Sequence, residues 1–179
     1  MRRLPSVLLI LGAATCGAQA QTGRAAIQTG SDNQLYTTFQ DWCGRAAPDF
    51  AALDKRASDS GLRVMGDNKT TQPDGTAVES KQWLYRHGSG QFGITATNAV
   101  KASRTSAACS VYFPGLSGAT MPAYLSDTDR LGAPLKQSPD KTSTFWKGPF
   151  PGTQIRLDMR PSGQNYEGVL TIMQTESGN

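Results

Sequence analysis

The chain has 179 residues, of which 37% are hydrophobic and 18% are charged, and its formal net charge is +4. This length fits one domain that can bury a core, and the composition is not that of a disordered chain. No run of four or more lysines and arginines occurs, so the dispersed charge does not indicate a nucleic-acid partner.

The first twenty residues, MRRLPSVLLILGAATCGAQA, have the three parts of a secretory signal. Arg2 and Arg3 precede an apolar run over 4–14, and Ala18 and Ala20 fit a cleavage site after Ala20. The apolar run is shorter than the roughly 20 residues that a membrane-spanning helix needs. We therefore expect an exported protein, periplasmic or secreted, without a transmembrane segment.

Cleavage changes the cysteine count and the charge. It would remove Cys16 and leave Cys43 and Cys109, and it would lower the formal net charge to +2. In an oxidising compartment an even pair of cysteines predicts a disulfide bond. Lipidation of Cys16 is the alternative, although the threonine directly before it is a poor match to a lipid-attachment sequence.

Two helices are predicted after residues 21–30, which have no periodicity and indicate a flexible arm. Residues 31–34, Ser-Asp-Asn-Gln, fit a capping box at the start of the first helix. Pro48 is expected to open the second helix, and Gly61 to end it. The first helix has one apolar stripe, made of Leu35, Phe39, Trp42, Cys43 and Ala46.

A polar loop, GDNKTTQPDG, is predicted over 66–75. Its carboxylates, Asp67 and Asp74, do not follow the order of an EF-hand calcium loop. From residue 81 onward the apolar period changes from helical spacing to two, which predicts strands. The predicted strands lie around Trp83, Phe92 and Val111, and over 142–147, 154–160 and 166–174.

The order of these elements predicts an α+β domain over 31–174, followed by a polar tail over 175–179. Two N-terminal helices pack on an antiparallel sheet of about six strands, with one short helix over 122–131 between two strand triplets. Trp83 and Trp146 each occupy the first predicted strand of a triplet, so an internal duplication is one interpretation.

The stretch SAACSVYFPGLSGA, over 106–119, raises the question of catalysis. Its Gly-Leu-Ser-Gly-Ala turn resembles a nucleophile elbow, with Ser117 between a strand and a helix. The chain's single histidine, His87, precedes that serine, and Asp127 or Asp129 would have to complete a triad. A small hydrolase that uses Ser117 and His87 is therefore an alternative to a non-catalytic protein.

Other chemistries have less support. Cys109 is predicted to be buried in a strand and paired, which makes a thiol inert. One histidine and two paired cysteines cannot supply a zinc site, and no phosphate-binding glycine loop occurs, so we expect no metal or cofactor. The carboxylate pairs Asp127/Asp129 and Asp54/Asp59 are expected to be solvated surface charges rather than a glycosidase pair.

One predicted strand has basic side chains on one face. Arg156 and Arg160 alternate with Ile155, Leu157 and Met159, which would face the core. Together with Lys147, the two arginines would form a sheet face that could bind an anionic partner, such as a polysaccharide or an acidic protein surface.

The helical part, FQDWCGRAAPDFAALDKRASDSG, resembles the amino-terminal part of small exported proteobacterial proteins of no established activity. In these, a cysteine near the end of a first helix precedes an alanine-rich second helix that ends with glycine. The resemblance covers about one fifth of the chain, and no functional site carries over. The residues that carry it are Phe39, Cys43, Ala51, Ala52 and Gly61.

We therefore expect an exported, non-catalytic periplasmic protein with a Cys43–Cys109 disulfide bond. It would bind a protein or an envelope component. Besides the hydrolase, the sequence leaves open a structural or secretion-accessory subunit of an envelope complex.

Overall fold

The structure, a computed structural model, describes residues 32–88, 90–116 and 120–176. The predicted signal, Cys16, the arm and the serine of the capping box lie outside the described residues. Three helices are described: α1 over 32–42, α2 over Phe50–Asp59 and α3 over Met121–Leu125. The eight strands are β1 Arg63–Thr71, β2 Ala77–His87, β3 Gly90–Lys101, β4 Arg104–Leu116, β5 Lys136–Gln137, β6 Ser143–Lys147, β7 Thr153–Ser162 and β8 Asn165–Glu176.

All eight strands form one antiparallel sheet in the order β1-β2-β3-β4-β8-β7-β6-β5. Strands β1 to β4 make one meander, which we call the N-terminal meander, and β5 to β8 make the C-terminal meander. The two meet where β4 pairs with β8. The structure thus confirms an α+β fold with an antiparallel sheet.

The two meanders repeat the same core row. In the N-terminal meander Trp83 opposes Ile94, which opposes Val111. In the C-terminal meander Trp146 opposes Ile155, which in turn opposes Ile172. Each tryptophan thus lies in the second strand of a four-stranded meander, not in the first strand of a triplet as the sequence suggested.

The prediction of about six strands was wrong because β1 and β5 were missed. Residues 66–71 belong to β1 and are not part of a loop, and the hairpin turns at Gly75, whose φ is +83°. Eight of the nine residues of β1 are exposed, so this edge strand has no buried face to impose alternation on the sequence. β5 has only two residues, both exposed.

The helices cover one face of the sheet. α2 contacts β3 and β4, and a single hydrophobic core joins the helices to alternate residues of the strands. We call this the helix-covered face, and the opposite one, on which none of the three described helices lies, the helix-free face. The helices contribute Leu35, Phe39, Trp42, Leu53, Ala57, Met121 and Leu125 to the core.

The predicted disulfide bond is confirmed. Cys43 follows the last turn of α1 and bonds to Cys109 of β4, with a Cα–Cα distance of 5.4 Å and a sequence separation of 66. Cys43 is 3% exposed and Cys109 is 0% exposed. The bond joins the helical layer to one of the two central strands of the sheet.

Two helix boundaries differ from the expectation. α2 begins after Pro48, because the Asp49 side chain is the N-cap and accepts a hydrogen bond from the Ala52 backbone N–H at 2.9 Å. α3 ends at Leu125, well before residue 131, because the Ser126 N–H and hydroxyl close its last turn on Pro122.

Candidate functional site

The helix-free face is flat at its centre. Its middle row carries short hydroxyl side chains, and the hydroxyls of Ser110 and Thr171 are 2.9 Å apart in a hydrogen bond between β4 and β8. Beyond Thr171 the row continues with longer side chains. From β3 to β5, the residues of this row are Thr95, Ser110, Thr171, Arg156, Phe145 and Lys136.

Basic side chains gather on this face in the C-terminal meander. The register places Lys136, Lys147, Arg156 and Arg160 there, and we call these four residues the basic patch. Phe145 lies between two of them: the Lys136 ammonium is 4.5 Å and the Arg156 guanidinium 5.5 Å from its ring centroid. Both contacts are in the range of cation–π attraction.

Acidic side chains hold part of the basic patch in place. Asp158 accepts hydrogen bonds from Arg156 Nε at 2.8 Å and from the Ser143 hydroxyl at 2.6 Å. Arg160 is exposed and opposes Glu167 of β8. The two arginines that the sequence singled out thus share a face, but Arg156 is partly neutralised, so Arg160 and the exposed Lys147 are the freer cations.

An apolar area occupies the same face in the N-terminal meander. A shallow cavity of about 240 Å³ lies there, and Met65, 53% exposed, forms part of its wall. Gly93 leaves a gap between Leu84 and Tyr112, which oppose it on either side. Burial, and secondarily the neighbouring Glu167 carboxylate, raise the pKa of Tyr112.

Of the residues in the alternative hydrolase site, the structure describes His87, Asp127 and Asp129. His87 is exposed at the end of β2, where its ring stacks on Tyr85 and its Nδ1 is 3.5 Å from the Tyr85 hydroxyl. Ser117 lies outside the described residues. Asp127 accepts hydrogen bonds from Arg130 and from the Asp129 N–H, in the turn after α3.

The carboxylate pairs have other partners. The Asp129 backbone N–H, followed by the Arg130 guanidinium, lowers the pKa of Asp127. Asp54 Oδ1 lies 2.8 Å from Lys81 Nζ in an ion pair, and Asp59 pairs with Lys55 at 2.6 Å. The pKa of Asp127 is therefore shifted away from the raised range that a general acid needs.

The sequence did not predict that Asp32, which it placed only in a capping box, is a buried carboxylate. Asp32 is 2% exposed, its Oδ2 accepts a hydrogen bond from the Thr120 hydroxyl at 2.8 Å, and its Oδ1 has no partner among the described residues. Burial raises the pKa of Asp32, against the smaller opposing effect of Thr120. This contact ties the start of α1 to the start of α3.

A cavity of about 570 Å³ lies beside α3 on the helix-covered face. Several of its polar groups have partners within the chain. Asp140 accepts from Thr142, the Ser126 hydroxyl donates to Pro122, and Gln137 donates to Thr144 at 3.2 Å. The cavity therefore offers mainly apolar wall to a ligand.

Within 32–88, 90–116 and 120–176, no group of three or more histidine, cysteine or acidic side chains is placed to hold a metal ion. None of the helices described there has the length and apolar character needed to cross a membrane.

Fold and site define an α+β protein with a one-sided antiparallel sheet whose free face carries basic and apolar areas. Comparison of the chain with family models, with curated proteins and with solved structures yields no match.

Proposed function

We propose that this is an exported, non-catalytic binding protein that recognises an acidic protein surface with the helix-free face of its sheet. The observation that carries the proposal is the one-sided sheet: helices cover one face, and the other face presents the basic patch beside an apolar area. Aromatic and apolar side chains bordered by cations are a composition typical of protein interfaces.

An acidic protein fits this face better than an acidic polysaccharide. Sugar rings stack on open aromatic faces, whereas Phe145 is already flanked by Lys136 and Arg156. The cavity beside Met65, whose wall combines Leu84 and Pro114 with Gln82 and Gln91, would accommodate an aliphatic side chain of a protein.

Two features support the exported location. The first twenty residues have the pattern of a cleaved signal, and the buried Cys43–Cys109 bond suits an oxidising compartment. Amino-terminal sequencing of the protein recovered from the periplasm tests this, and we expect it to begin at Gln21. A cytoplasmic protein that retains Met1 would contradict the proposal.

The binding face can be tested by photo-crosslinking in the native envelope. A photoreactive amino acid replaces Lys147 on the helix-free face or, as the control, Lys55 on the exposed side of α2. We expect a protease-sensitive adduct when the photoreactive amino acid replaces Lys147, and none when it replaces Lys55. The charge reversal Lys147→Glu/Arg160→Glu, with the photoreactive residue moved to Gln154, should abolish that adduct, and Lys55→Glu should retain it.

The captured protein is then purified and its affinity measured at increasing salt. Because the proposed contact is electrostatic, we expect affinity to fall with salt and to fall with the Lys147→Glu/Arg160→Glu reversal. Equal adducts from Lys55 and Lys147, or an adduct that resists protease and is cleaved by glycan hydrolysis, would contradict the proposal.

A further inference from the structure

The two edges of the sheet are unlike. At one edge β5 has two residues, and such short edge strands protect a sheet from pairing with other chains. At the other edge β1 runs for nine residues, Arg63–Thr71, pairs only with β2 in the described structure, and is exposed along almost all of its length. A long exposed edge strand is a template for a further strand.

The charges along β1 are complementary to those of a second β1 strand that runs antiparallel to it. Asp67 and Lys69 lie on the same side of the strand with Asn68 between them, and their side chains are 51% and 74% exposed. If a second β1 pairs antiparallel with Asn68 opposite Asn68, each Asp67 opposes a Lys69. Opposite charges directly across two strands stabilise the pair.

The neighbouring strand extends this pattern. Lys69 bonds to Glu79 of β2 at 2.6 Å, and Asp67 lies 3.8 Å from Lys81. Across four strands of two copies, the row would therefore read Glu79, Lys69, Asp67, Lys81, with the sign alternating at each step. Hydrogen bonding to Glu79 also raises the pKa of Lys69, so this cation stays charged.

Other symmetric registers are less favourable. Centring the pair on Asp67 places two carboxylates opposite each other, and centring it on Lys69 places two ammonium groups opposite each other. A slip of one residue would turn the partner's side chains to the wrong face. Charged side chains on an edge strand usually disfavour pairing with another strand. Those of β1 are compatible with a second β1 in the register centred on Asn68.

We propose that the protein forms a two-fold symmetric dimer in which β1 pairs with β1 around Asn68, which makes one continuous sheet of sixteen strands. This inference is independent of the partner proposed for the helix-free face. The occupant of the edge is a second copy of the chain, and the two helical layers lie on the same side of the extended sheet.

Sedimentation of the mature protein from about 1 to about 100 µM tests the dimer, because its population follows mass action. We expect twice the monomer mass at the upper end. Asp67→Lys or Lys69→Asp alone should weaken the dimer by about tenfold or more. Asp67→Lys/Lys69→Asp should recover only part of that loss, because it restores the opposite charges across the two β1 strands but places like charges beside Glu79 and Lys81. A monomer at every concentration, or a dimer that is indifferent to the single reversals, would overturn the proposal.

A crosslink that does not depend on these charges checks the register. Opposed residues in an antiparallel pair have Cα atoms about 4.5–5.5 Å apart, within the range of a disulfide bond. Asn68→Cys should therefore form a covalent dimer under mild oxidation. The matched control is Thr70→Cys, on the same side of β1, where the two cysteines would be about 13 Å apart and should not crosslink. Equal crosslinking of the two variants, or none with Asn68→Cys, would overturn the register.

Discussion

The two meanders share a framework but differ in what covers them. Both present a tryptophan–isoleucine row to the core. α2 contacts β3 and β4, and the Cys43–Cys109 bond ends on β4, all within the N-terminal meander, whereas α1 crosses the join between the meanders. The C-terminal meander carries the five-residue helix α3, the cavity of about 570 Å³ and the basic patch. We expect from this difference that the N-terminal meander contributes more to the stability of the fold.

Removing the disulfide bond should have the largest effect. In the chain-entropy model a bond across 66 residues stabilises the folded state by roughly 4 kcal/mol. We expect Cys43→Ala/Cys109→Ala to lower the free energy of unfolding by about that amount in urea titration. Reductant should destabilise the wild type to a similar extent and leave the double variant unchanged. A loss below about 1 kcal/mol would mean that the helical layer does not depend on the bond.

Gly168 tests the packing where α1 crosses the join between the meanders. A Cβ atom there would collide with the Leu116 side chain and lie 3.3 Å from Leu35. Gly168→Ala should therefore cost about 1–3 kcal/mol of stability. The control is Gly93→Ala on the helix-free face, where the nearest atom, 3.2 Å away, belongs to the flexible Gln82 side chain. It should stay within about 0.5 kcal/mol of the wild type, and equal losses would refute the difference in packing.

The two equivalent tryptophans should respond differently to the same change. Both are at most 1% exposed, but the indole N–H of Trp146 also donates to the Gly132 carbonyl at 3.1 Å. Trp146→Phe should therefore cost about 1 kcal/mol more than Trp83→Phe, since that carbonyl loses a donor. Paired unfolding titrations measure the difference, and identical losses would show that the hydrogen bond contributes nothing net.

Burial of the Asp32 carboxyl, which contacts Thr120 at the start of α3, should make stability depend on pH. Folding raises the pKa of Asp32, so its protonated form is the stabilising one. That contribution is fully present below the ordinary aspartate pKa and is lost as pH rises through the raised value. Asp32→Asn, which stays neutral, should therefore gain stability relative to the wild type as pH rises from about 4 to about 7.

Asp127→Asn is the matched control for this pH dependence. Hydrogen bonds lower the pKa of Asp127, so its contribution is present above the ordinary aspartate pKa and is lost as pH falls through the lowered value. This variant should therefore lose stability relative to the wild type at neutral pH and approach it in acid. A stability difference for Asp32→Asn that is constant with pH, or that runs like that of Asp127→Asn, would contradict the assignment.

Much of the fold could be predicted where one face of an element is buried. The alternation in β7 is confirmed, and so is the apolar stripe of α1 from Leu35 to Cys43. Ala46, which was predicted to continue that stripe, is exposed and lies beyond the end of α1. β1 could not be predicted, because an edge strand exposed on both faces has no reason to alternate. Of the candidate site, alternation predicted the shared face of Arg156 and Arg160, but nothing in the sequence marked Lys136, which reaches Phe145 only through strand pairing.

The sequence alone determined the properties that depend on local pattern and composition: the helix positions, the strand faces of the core, and the even cysteine pair. The tertiary structure decided the properties that depend on which strands are neighbours. It brought β4 against β8, placed the basic patch and the apolar area on the same uncovered face, and left β1 at the edge. The physical reason is that strand pairing is made by backbone hydrogen bonds, which every sequence can form, so the order of strands is set by the packing of the whole core.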